Sequence, residues 1–497
     1  MSKVLIKHAQ AIVTVDDSDR VLYDADILIL DGVITQIGHG IDAALASSGS
    51  ESTHYAQPGS AAETYAAPPP PCRHGLDARE CGDATDATDV IDANGCIIYP
   101  GLVNTHHHLY QTFTRNLPQV QRMELFPWLR ALYEIWRGLD DEAVYLSSLS
   151  GMGELVRYGC TTVMDHHYVF PRDRDCAFLE RQFEAADALG VRLCAARGSM
   201  SRGKSDGGLP PDDLVQDVDT ILRDSQRLAE TFHDPSPRSY HQVVLAPCSP
   251  FSVSDALLRE TAVLARDLGV RLHTHLCETK DEEAFCLETV GMRPLAYMES
   301  MGWVGSDVWY AHGIHFDDSE LELLAATQTG VAHCPASNMK LSSGVCRIPE
   351  MLSLGIPLGL AVDGSASNDC SNLMSEIRTA YLLGRLSRSQ EAPTGYDILR
   401  MATRGSARLL GRHDIGWLAP GMAADMFAID TRTLDFAGAT GDPANLLGTM
   451  GCARPAAWTM VGGRIVSRDG HLTGIDEETT CARARESATK LCHHVTP

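Results

Sequence analysis

Eight apolar strand-like runs alternate with longer helical patterns between residue 96 and about residue 410, and this alternation limits the possible folds more than any other feature. The strand-like runs are short and rich in β-branched residues, whereas the segments between them have the length and periodicity of helices. The predicted strands are 97–104, 162–166, 192–197, 242–247, 271–275, 308–312, 331–334 and 357–363. The clearest helical patterns are 141–158, 179–189, 212–231, 254–268 and 319–328.

The alternation favours an α/β fold in which eight parallel strands close into a (β/α)8, or TIM, barrel with insertions. A doubly wound open sheet is the competing architecture. It is weakened because no glycine-rich dinucleotide-binding turn follows the first strand. In a barrel, the C-terminal ends of all the strands meet at one rim, so the residues at those ends are the candidates for chemistry.

The segments on either side of the barrel are predicted to form one small β-sandwich domain. Residues 1–95 and 413–476 contain β-branched runs separated by turn signals, and the barrel takes residues 96–412. Within the first segment, residues 40–88 are rich in Ala, Ser, Gly, Thr and Pro and poor in large apolar residues. Such a segment cannot offset its ordering entropy, so we predict a disordered insertion. The polar tail, 477–497, is compatible with a helix and carries no assignable chemistry.

Charge and cysteine content restrict the partners and the compartment. The formal net charge is -24, from 41 basic and 65 acidic side chains, which argues against a nucleic-acid surface. No apolar run reaches the roughly 18 residues of a membrane-spanning helix, and the first residues lack the apolar core of a signal peptide. The 15 cysteines include no CxxC pair, which fits a reduced, cytoplasmic protein.

The first predicted barrel strand runs into three consecutive histidines, His106, His107 and His108. Residues two positions apart in a strand point to the same side, so His106 and His108 can direct two imidazoles at one point while His107 faces away. Two converging imidazoles form half of a metal site. The alternative is a polar strand end with solvated histidines, and the choice depends on whether more ligands occur at other strand ends.

Three other predicted strands end in side chains that bind metals or transfer protons. The fifth ends at His275, with Glu278 three residues further on. The sixth ends at His312 and the eighth at Asp363. One such histidine alone is more often a structural hydrogen-bonding residue. Several polar groups at one rim are costly to desolvate without partners, and one divalent metal ion is a partner for many of them. We therefore predict a metal site at the C-terminal rim.

Five segments together carry a resemblance to a known family, namely 100–108, 275–278, 311–312, 333–341 and 363–368. On these segments the chain resembles the amidohydrolase superfamily, in its branch of nucleobase deaminases and aminohydrolases. That branch includes guanine deaminases, adenosine-type deaminases and s-triazine hydrolases. The resemblance extends from the first strands to the C-terminal strands and leaves out only the predicted insertion and the tail.

The resemblance implies one divalent metal ion, usually Zn2+ and sometimes Fe2+, with four ligands: His106, His108, His275 and Asp363. Members of the superfamily with two metal ions carry a bridging carbamate on a lysine at the end of the fourth strand. Here that strand ends in Ala-Pro-Cys-Ser-Pro at 246–250, without a lysine, so a mononuclear site is implied.

The resemblance also implies the catalytic roles. Asp363 accepts the proton of the attacking water, Glu278 carries a proton to a ring nitrogen of the substrate, and His312 hydrogen-bonds the nucleophile. Attack on an amidine-like ring carbon and loss of ammonia complete the implied reaction. The remaining histidines near strand ends are expected to support the ligands from behind or to lie in solvent; they are His107, His166, His167, His273 and His315.

Three side chains are predicted to bind the substrate. Gln111 and Arg115 closely follow the histidine triplet, and the donor and acceptor of Gln111 suit the edge of an oxo-amino heterocycle. Arg197 ends the third predicted strand and can pair with a ring oxygen, although an ion pair with a nearby aspartate is an equal alternative. For Trp128 and Trp136, which follow the first strand, core packing is the preferred interpretation over covering the substrate.

Within the branch, the pattern is most similar to 8-oxoguanine deaminases, which convert 8-oxoguanine to urate and ammonia. Isoxanthopterin deaminases, guanine deaminases and hydroxy-s-triazine aminohydrolases remain open, as does a chlorohydrolase on the same scaffold. A non-enzymic structural metalloprotein is the alternative of another class, and the complete acid–base set disfavours it. The expected partner is a small heterocycle rather than nucleic acid or membrane, and a homo-oligomer is compatible with the resemblance.

Overall fold

Two sheets contain the strands of the computed structural model, which describes residues 2–41, 88–172 and 174–493. In chain order the strands are β1 (Lys3–Val13), β2 (Val21–Leu30), β3 (Val33–Gly38), β4 (Thr88–Asp92), β5 (Cys96–Pro100), β6 (Leu102–Asn104), β7 (Cys160–His167), β8 (Arg192–Ser199), β9 (His241–Pro247), β10 (Arg271–Leu276), β11 (Val308–His312), β12 (Gly330–His333), β13 (Leu358–Leu360), β14 (Met426–Asp430), β15 (Trp458–Val461), β16 (Arg464–Arg468) and β17 (His471–Leu472). Strands β6 to β13 form an eight-stranded parallel sheet in sequence order, and the others form a nine-stranded mixed sheet.

Helices occupy the connections between the barrel strands and the end of the described chain. They are α1 (Leu125–Trp136), α2 (Asp141–Arg157), α3 (Phe178–Leu189), α4 (Val218–Phe232), α5 (Asp255–Leu268), α6 (Lys280–Thr289), α7 (Pro294–Ser300), α8 (Asp318–Thr327), α9 (Pro335–Lys340), α10 (Ile348–Ser353), α11 (Ser365–Asn368), α12 (Leu373–Arg388), α13 (Gly395–Arg400), α14 (Ser406–Leu409), α15 (Leu446–Thr449) and α16 (Glu477–His493). Side-chain caps fix several of their starts: Asp140 accepts the Ala143 N–H at 2.8 Å at the start of α2. Among the described residues, no helix combines the length and apolar character needed to span a bilayer.

The eight-stranded sheet closes through contacts between β6 and β13. The backbone N–H of Thr105 donates to the Leu360 carbonyl at 3.4 Å, and the side-chain oxygen of Asn104 accepts from the Val362 N–H at 3.0 Å. Helices cover the outside of a closed parallel sheet, so its strands are buried on both faces. The predicted (β/α)8 barrel with an accessory β domain is therefore confirmed.

The first predicted strand, 97–104, is two strands in the structure. β5 pairs with β1 and β14 in the mixed sheet, whereas β6 pairs with β7 in the barrel. The corner lies at Pro100 and Gly101, where a Cβ on Gly101 would lie 2.1 Å from the Thr161 Oγ1. This close approach requires glycine, and it turns one apolar run into two elements of different sheets.

The mixed sheet is built from both ends of the chain. Its order is β17-β16-β15-β14-β5-β1-β2-β3, with β4 paired to β1. The predicted boundaries at residues 95, 412 and 476 stay predictions, because the sheet topology does not divide the chain into units. Apart from its ends, the predicted insertion at 40–88 lies outside the described residues. The predicted tail contains α16, which packs along α2.

Candidate metal centre

The C-terminal rim of the barrel gathers five of the predicted site residues. His106 and His108 follow β6, His275 lies in β10, His312 ends β11, and Asp363 follows β13. Each of these side chains belongs to a residue that is at most 8% exposed. The rule that barrel strands point their functional residues at one rim thus brings together groups that are far apart in sequence.

Three short contacts connect the four predicted metal ligands. The Oδ1 of Asp363 is 3.2 Å from the Nε2 of His106 and 3.4 Å from the Nε2 of His108. The Nε2 atoms of His108 and His275 are 3.1 Å apart. His312 stands beside this group, with its Nε2 3.8 Å from the other oxygen of Asp363. The donor atoms of His106, His275, His312 and Asp363 all lie within 4.8 Å of one another, and those of His108, His166 and His275 form a second such set. Separations of this size are those of donor atoms around a common centre.

Backbone carbonyls determine which nitrogen of two of these histidines carries the proton. The Nδ1 of His108 lies 2.7 Å from the His166 carbonyl, and the Nδ1 of His275 lies 2.6 Å from the Cys248 carbonyl. A carbonyl only accepts, so both Nδ1 atoms donate. Burial lowers the pKa of His275 to about 3 and also lowers the pKa of His108. Both rings are therefore neutral, and each presents an unprotonated Nε2 to the other.

A histidine behind the site sets the same tautomer in His106. The Nδ1 of His273 donates to the Trp309 carbonyl at 3.0 Å, and its Nε2 lies 2.8 Å from the Nδ1 of His106. Burial lowers the pKa of His273 well below its usual value, so its Nε2 is an acceptor and the Nδ1 of His106 is the donor. The Nε2 of His106 is therefore unprotonated, and it makes no hydrogen bond although it faces Asp363.

The lone pairs of these imidazole nitrogens and of the Asp363 carboxylate are arranged to bind a cation. Three unprotonated imidazole nitrogens and a carboxylate oxygen would repel one another in a buried space. A divalent ion between them removes the repulsion, and nitrogen and oxygen donors of this kind suit Zn2+ or Fe2+. The backbone carbonyls and the histidine behind the site hold the rings with their lone pairs inward, as outer partners do in known metal sites. The residues at the rim fit a bound divalent metal, and the ligand set of His106, His108, His275 and Asp363 stays a prediction.

The predicted acid–base residues adjoin the same point. The Oε2 of Glu278 is 3.6 Å from the Nε2 of His312. Burial raises the pKa of Glu278 to about 7, with a smaller opposing effect of His312. Glu282 fixes the loop that carries Glu278, because its two carboxylate oxygens accept the N–H groups of Cys277 and Glu278, each at 3.0 Å. Glu278 is thus a well-positioned carboxyl group that changes protonation near neutral pH.

Burial alone would lower the pKa of His312, but Glu278 and Asp363 outweigh it and raise this pKa. For Asp363, burial alone would raise the pKa, but the neighbouring imidazoles, among them His312, whose own pKa is raised, outweigh burial and hold it well below its usual range. At neutral pH Asp363 is therefore ionised, and it lies beside an imidazole whose protonated form is favoured.

Three strand ends around the site have strained backbones. Cys277, His312 and Asp363 have φ angles of 53°, 73° and 62°. Positive φ is unfavourable for residues other than glycine and collects at functional sites, where the surrounding structure holds it in place. The strain turns the side chains of His312 and Asp363, and the loop before Glu278, toward the rim.

A cavity of about 30 Å³ opens beside these groups. Three predicted ligands, His108, His275 and Asp363, form its polar floor with Glu278 and His312, and the walls are mostly apolar. Its lining residues are His108, Gln111, Leu125, Trp128, Leu129, Tyr168, Cys248, Phe251, His275, Glu278, His312, Leu341, Asp363 and Ser367. This volume is well below the roughly 300 to 1,000 Å³ of ligand pockets, so the side chains that line the cavity must move apart to admit a ring system.

Two lining side chains carry polar atoms without a protein partner. Both amide atoms of Gln111 and the indole N–H of Trp128 are buried and make no hydrogen bond. A buried polar group without a partner is costly, so such atoms in a cavity are candidates for ligand contacts. Gln111 therefore stands where the sequence predicted it. Trp128 packs in the core against Trp136, as expected, and also lines the cavity. Trp136 is packed as well, with its N–H bonded to Thr114.

Arg197, a predicted substrate-binding residue, is turned away from the cavity. Its Nε is 2.7 Å from Asp224, its Nη2 donates to Gln216 at 2.8 Å, and its guanidinium lies 3.9 Å from the centre of the Phe170 ring. The interpretation as an ion pair, open in the sequence, is the one that the geometry supports. Arg197 is 1% exposed and does not line the cavity.

Replacing Arg197 with methionine should therefore lower stability and leave KM unchanged. The change leaves the buried oxygen of Asp224 without its inner partner, and the loss should be about 2–4 kcal/mol, because Arg227 still pairs with Asp224. Thermal unfolding and steady-state kinetics measure the two effects. The control is Arg227→Met, which removes the exposed partner of the same carboxylate and should cost less. A large rise in KM without a loss of stability would show that Arg197 contacts the substrate.

Arg115 also lies outside the cavity lining. Its Nη2 contacts the hydroxyls of Ser365 and Ser371 at 3.0 and 2.8 Å, and it pairs with Glu154 at 2.8 Å. The geometry therefore does not support a direct contact of Arg115 with the substrate. It ties the segment after the histidine triplet to the segment after Asp363, and so connects the loops of the first and last barrel strands.

The five remaining histidines all have protein partners. His107 contacts the Ser371 hydroxyl, His273 contacts His106, and the other three contact backbone carbonyls, namely those of Ala246 for His166, Val169 for His167 and Ser343 for His315. This agrees with their predicted supporting role. What the sequence did not reveal is the apolar wall, because Leu125, Phe251 and Leu341 look like core residues. The only available signal was an unusually apolar helix directly after the metal loop.

A family model matches the part of the chain that contains the barrel and the candidate site. The model described as the amidohydrolase family matches residues 97–466, which cover the barrel strands and most of the C-terminal strands. The match includes every residue of the candidate site.

Two individual proteins and one solved structure are also similar to the chain over most of its length. The 8-oxoguanine deaminase of Pseudomonas aeruginosa is 47% identical over 400 residues, covering 80% of this chain and 88% of that protein. The hydroxydechloroatrazine ethylaminohydrolase of Pseudomonas sp. strain ADP is 39% identical over 482 residues, covering 96% and 93%. The crystal structure of an atrazine chlorohydrolase from Arthrobacter aurescens TC1 complexed with zinc superposes with a TM-score of 0.86 at 30% identity, covering 98% of this chain and 100% of that one.

Proposed function

The chain belongs to the amidohydrolase family, and from this premise we propose that it is a metal-dependent hydrolytic deaminase that converts 8-oxoguanine and water to urate and ammonia. The observation that carries the proposal is the meeting of three inward-facing imidazole lone pairs with Asp363, directly beside the protonatable Glu278. The 47% identity to an 8-oxoguanine deaminase supports this substrate. Zn2+ is the proposed metal, supported by the zinc complex of the triazine relative, and Fe2+ fits the same ligands.

His106, His108, His275 and Asp363 would hold the metal. When bound, a divalent ion lowers the pKa of a coordinated water to about 7 and so makes hydroxide available at neutral pH. The side chains of the chain itself then move the protons. Asp363, ionised in the folded protein, accepts a proton from the attacking water. His312 stands between Asp363 and Glu278 and can hold the attacking oxygen in line.

Glu278 supplies the proton that activates the ring for attack by water. With a pKa of about 7, its carboxyl is partly protonated at neutral pH and can donate to a ring nitrogen next to the reacting carbon. Water adds to the carbon that bears the amino group, the carbon–nitrogen bond breaks, and ammonia leaves with the transferred protons. The carbon keeps the oxygen as a carbonyl, so the products are the oxo compound and ammonia.

The cavity favours a free base over a larger substrate. Its apolar walls, which include Leu125, Trp128 and Phe251, can cover the faces of a planar ring. The unpartnered amide of Gln111 offers a donor and an acceptor to the ring edge, and the Trp128 N–H offers a second donor. A heterocycle with alternating oxo and amino groups satisfies all three.

Other substrates of the branch fit the same chemistry. Isoxanthopterin and guanine carry a similar amino group, and the relative with 39% identity acts on a hydroxytriazine. A chlorohydrolase reaction is less compatible with the site, because chloride leaves without protonation and would not need Glu278. A purely structural metal site would need neither Glu278 nor His312. The 13 cysteines among the described residues are all free, which supports the proposed cytoplasmic location.

A substrate panel tests the proposal. Ammonia release, and ethylamine release for the triazine, should be measured with 8-oxoguanine, guanine, isoxanthopterin and N-ethyl hydroxytriazine in parallel, with the metal content determined in the same preparation. The proposal expects the highest kcat/KM for 8-oxoguanine and formation of urate. A preparation with a full metal content that releases no amine from any of the four would refute it.

Gln111 provides a test of the binding mode. Replacing it with alanine should lower kcat/KM for 8-oxoguanine by about tenfold or more, because a lost hydrogen bond to a buried polar partner costs about 1–3 kcal/mol. The effect should lie mainly in KM, since Gln111 is not placed to transfer protons. Initial-rate kinetics measure it, and Gln121→Ala, on the exposed turn that follows, serves as the control. An unchanged KM would show that Gln111 does not hydrogen-bond the edge of the substrate ring.

A further inference from the structure

We propose that α9, the short helix after β12, positions two catalytic side chains of the neighbouring strands through Ser337 and Asn338. This inference rests on the proposed function, because it concerns Asp363 and His312 in that reaction. Strand β12 supplies no residue of its own to the site: His333, at its end, lies outside the cluster and borders another cavity. In the segment 333–341, which carries part of the family resemblance, Leu341 lines the cavity, and the proposed proton transfers use none of the polar residues.

Ser337 holds one oxygen of Asp363. Its hydroxyl donates to the Oδ2 of Asp363 at 2.5 Å, and Ser337 is fully buried. The other oxygen, Oδ1, is the one that faces His106 and His108. A bond on Oδ2 fixes the rotation of the carboxylate, so that Oδ1 stays directed at the imidazole lone pairs. The Ser367 hydroxyl adds a longer contact to the same Oδ2 at 3.1 Å.

Asn338 holds the ring of His312. Its Oδ1 accepts a hydrogen bond from the Nδ1 of His312 at 2.9 Å, and Asn338 is 1% exposed. The opposite nitrogen of the ring, Nε2, therefore points at Glu278 and Asp363, 3.6 and 3.8 Å away. Ser337 and Asn338 are adjacent residues of one turn. They orient Asp363, which follows β13, and His312, which ends β11, and these two strands lie on either side of β12.

The turn itself is held from the side of Asp363. The N–H of Ala336 donates to Glu376 at 3.1 Å, and the ammonium of Lys340 donates to the Ala366 carbonyl at 2.9 Å and also pairs with Asp369. These contacts join α9 to α11 and α12, which follow Asp363. Ser337 and Asn338 are therefore carried on a braced element rather than a free loop, as positioning residues require.

Buried polar side chains are usually hydrogen-bonded for stability alone, so the contacts need a test that separates positioning from packing. The two residues should differ in a defined way. Ser337→Ala should release the metal to a chelator about tenfold faster or more, and it should lower kcat, because the support of a metal ligand is lost. Asn338→Ala should release the metal at the wild-type rate, lower kcat by about tenfold, and change KM by less than about twofold.

Matched variants complete the experiment. Ser343→Ala is the control: this serine follows the same turn and is buried, and its hydroxyl has no partner, so metal release and kcat should stay at wild-type values. Ser337→Thr and Asn338→Asp keep the hydroxyl and the acceptor oxygen and should recover most of the lost function. The positioning role is overturned if Ser337→Ala keeps wild-type metal release and kcat. It is equally overturned if Asn338→Ala keeps wild-type kcat, or if Ser343→Ala shows the same losses as both.

Two readouts do not depend on the substrate. Chelator release reports on Ser337 in an enzyme with any activity or none. The proton signal of the Nδ1–H of His312, identified by its loss in His312→Gln, should disappear or shift strongly in Asn338→Ala and persist in Asn338→Asp. Should the wild-type protein deaminate none of the four heterocycles, the proposed function fails, and these two measurements still decide whether the turn orients Asp363 and His312.

Discussion

Replacing Glu278 with glutamine should leave the metal bound and lower kcat by about 100-fold or more. Glutamine keeps the size of the side chain and has no proton to give to a ring nitrogen. Glu278 is not among the predicted ligands, and its carboxyl lies 3.6 Å from His312, so its loss should not release the metal. Metal analysis and steady-state kinetics on the same preparation measure both parts of this expectation.

The control is Glu288→Gln, an exposed glutamate on the helix α6 that follows Glu278. It removes the same charge from the same part of the chain, and its kcat should match that of the wild type. A Glu278→Gln enzyme with near-normal turnover would remove this residue from the mechanism. A variant that has also lost its metal would show that Glu278 supports the ligands instead.

Replacing His275 with alanine should abolish both metal binding and turnover. The remaining Nε2 atoms and Asp363 then form an incomplete set in a buried site, and the metal content should fall from about one equivalent per chain to less than about 0.1. The wild-type protein should lose thermal stability on chelation, since an ion at 100 times its Kd stabilises the folded chain by about 2.7 kcal/mol. The variant should melt at the same temperature with and without chelator.

His333→Ala is the matched control for this experiment. His333 also ends a barrel strand and is buried, but it lies outside the ligand cluster. Its variant should keep about one equivalent of metal. If His333→Ala lost the metal as His275→Ala does, damage to the barrel rim rather than loss of a ligand would explain both results.

The barrel could be predicted from the sequence because each strand is a short apolar run bounded by a helical pattern. Predicted 271–275 and 308–312 are β10 (Arg271–Leu276) and β11 (Val308–His312) in the structure. The division of 97–104 into two strands could not be predicted in the same way. It depends on the approach of Gly101 to Thr161, a contact between residues of different elements.

The candidate site was largely predictable for a related reason. A strand end fixes both the position and the direction of a side chain, so His275, His312 and Asp363 could be placed at one rim without knowledge of their neighbours. Arg197 also ends a strand, but a long side chain can turn, and its direction is set by Asp224 on α4. The sequence did not show that the core residue Trp128 also lines the cavity, because an apolar helix does not reveal which of its faces covers a cavity.

The sequence also could not predict which ring nitrogen of His106, His108 and His275 carries the proton. His273 has no special motif, and its effect on His106 passes through the Trp309 carbonyl of the next strand. A pattern of residue types predicts which atoms can bind a metal. The direction of their lone pairs depends on backbone carbonyls that any sequence would supply.

The closure of the barrel has a consequence for biosynthesis. Asn104 and Val362, which join the first and last barrel strands, are 258 residues apart. The ligands follow the same order, since two come from the segment after β6 and Asp363 comes only after β13. A nascent polypeptide on the ribosome has its first two imidazoles long before the carboxylate that completes the set. The proposed ligand set is therefore complete only after residue 363 has been synthesised, and a truncated product that ends before β13 lacks its carboxylate.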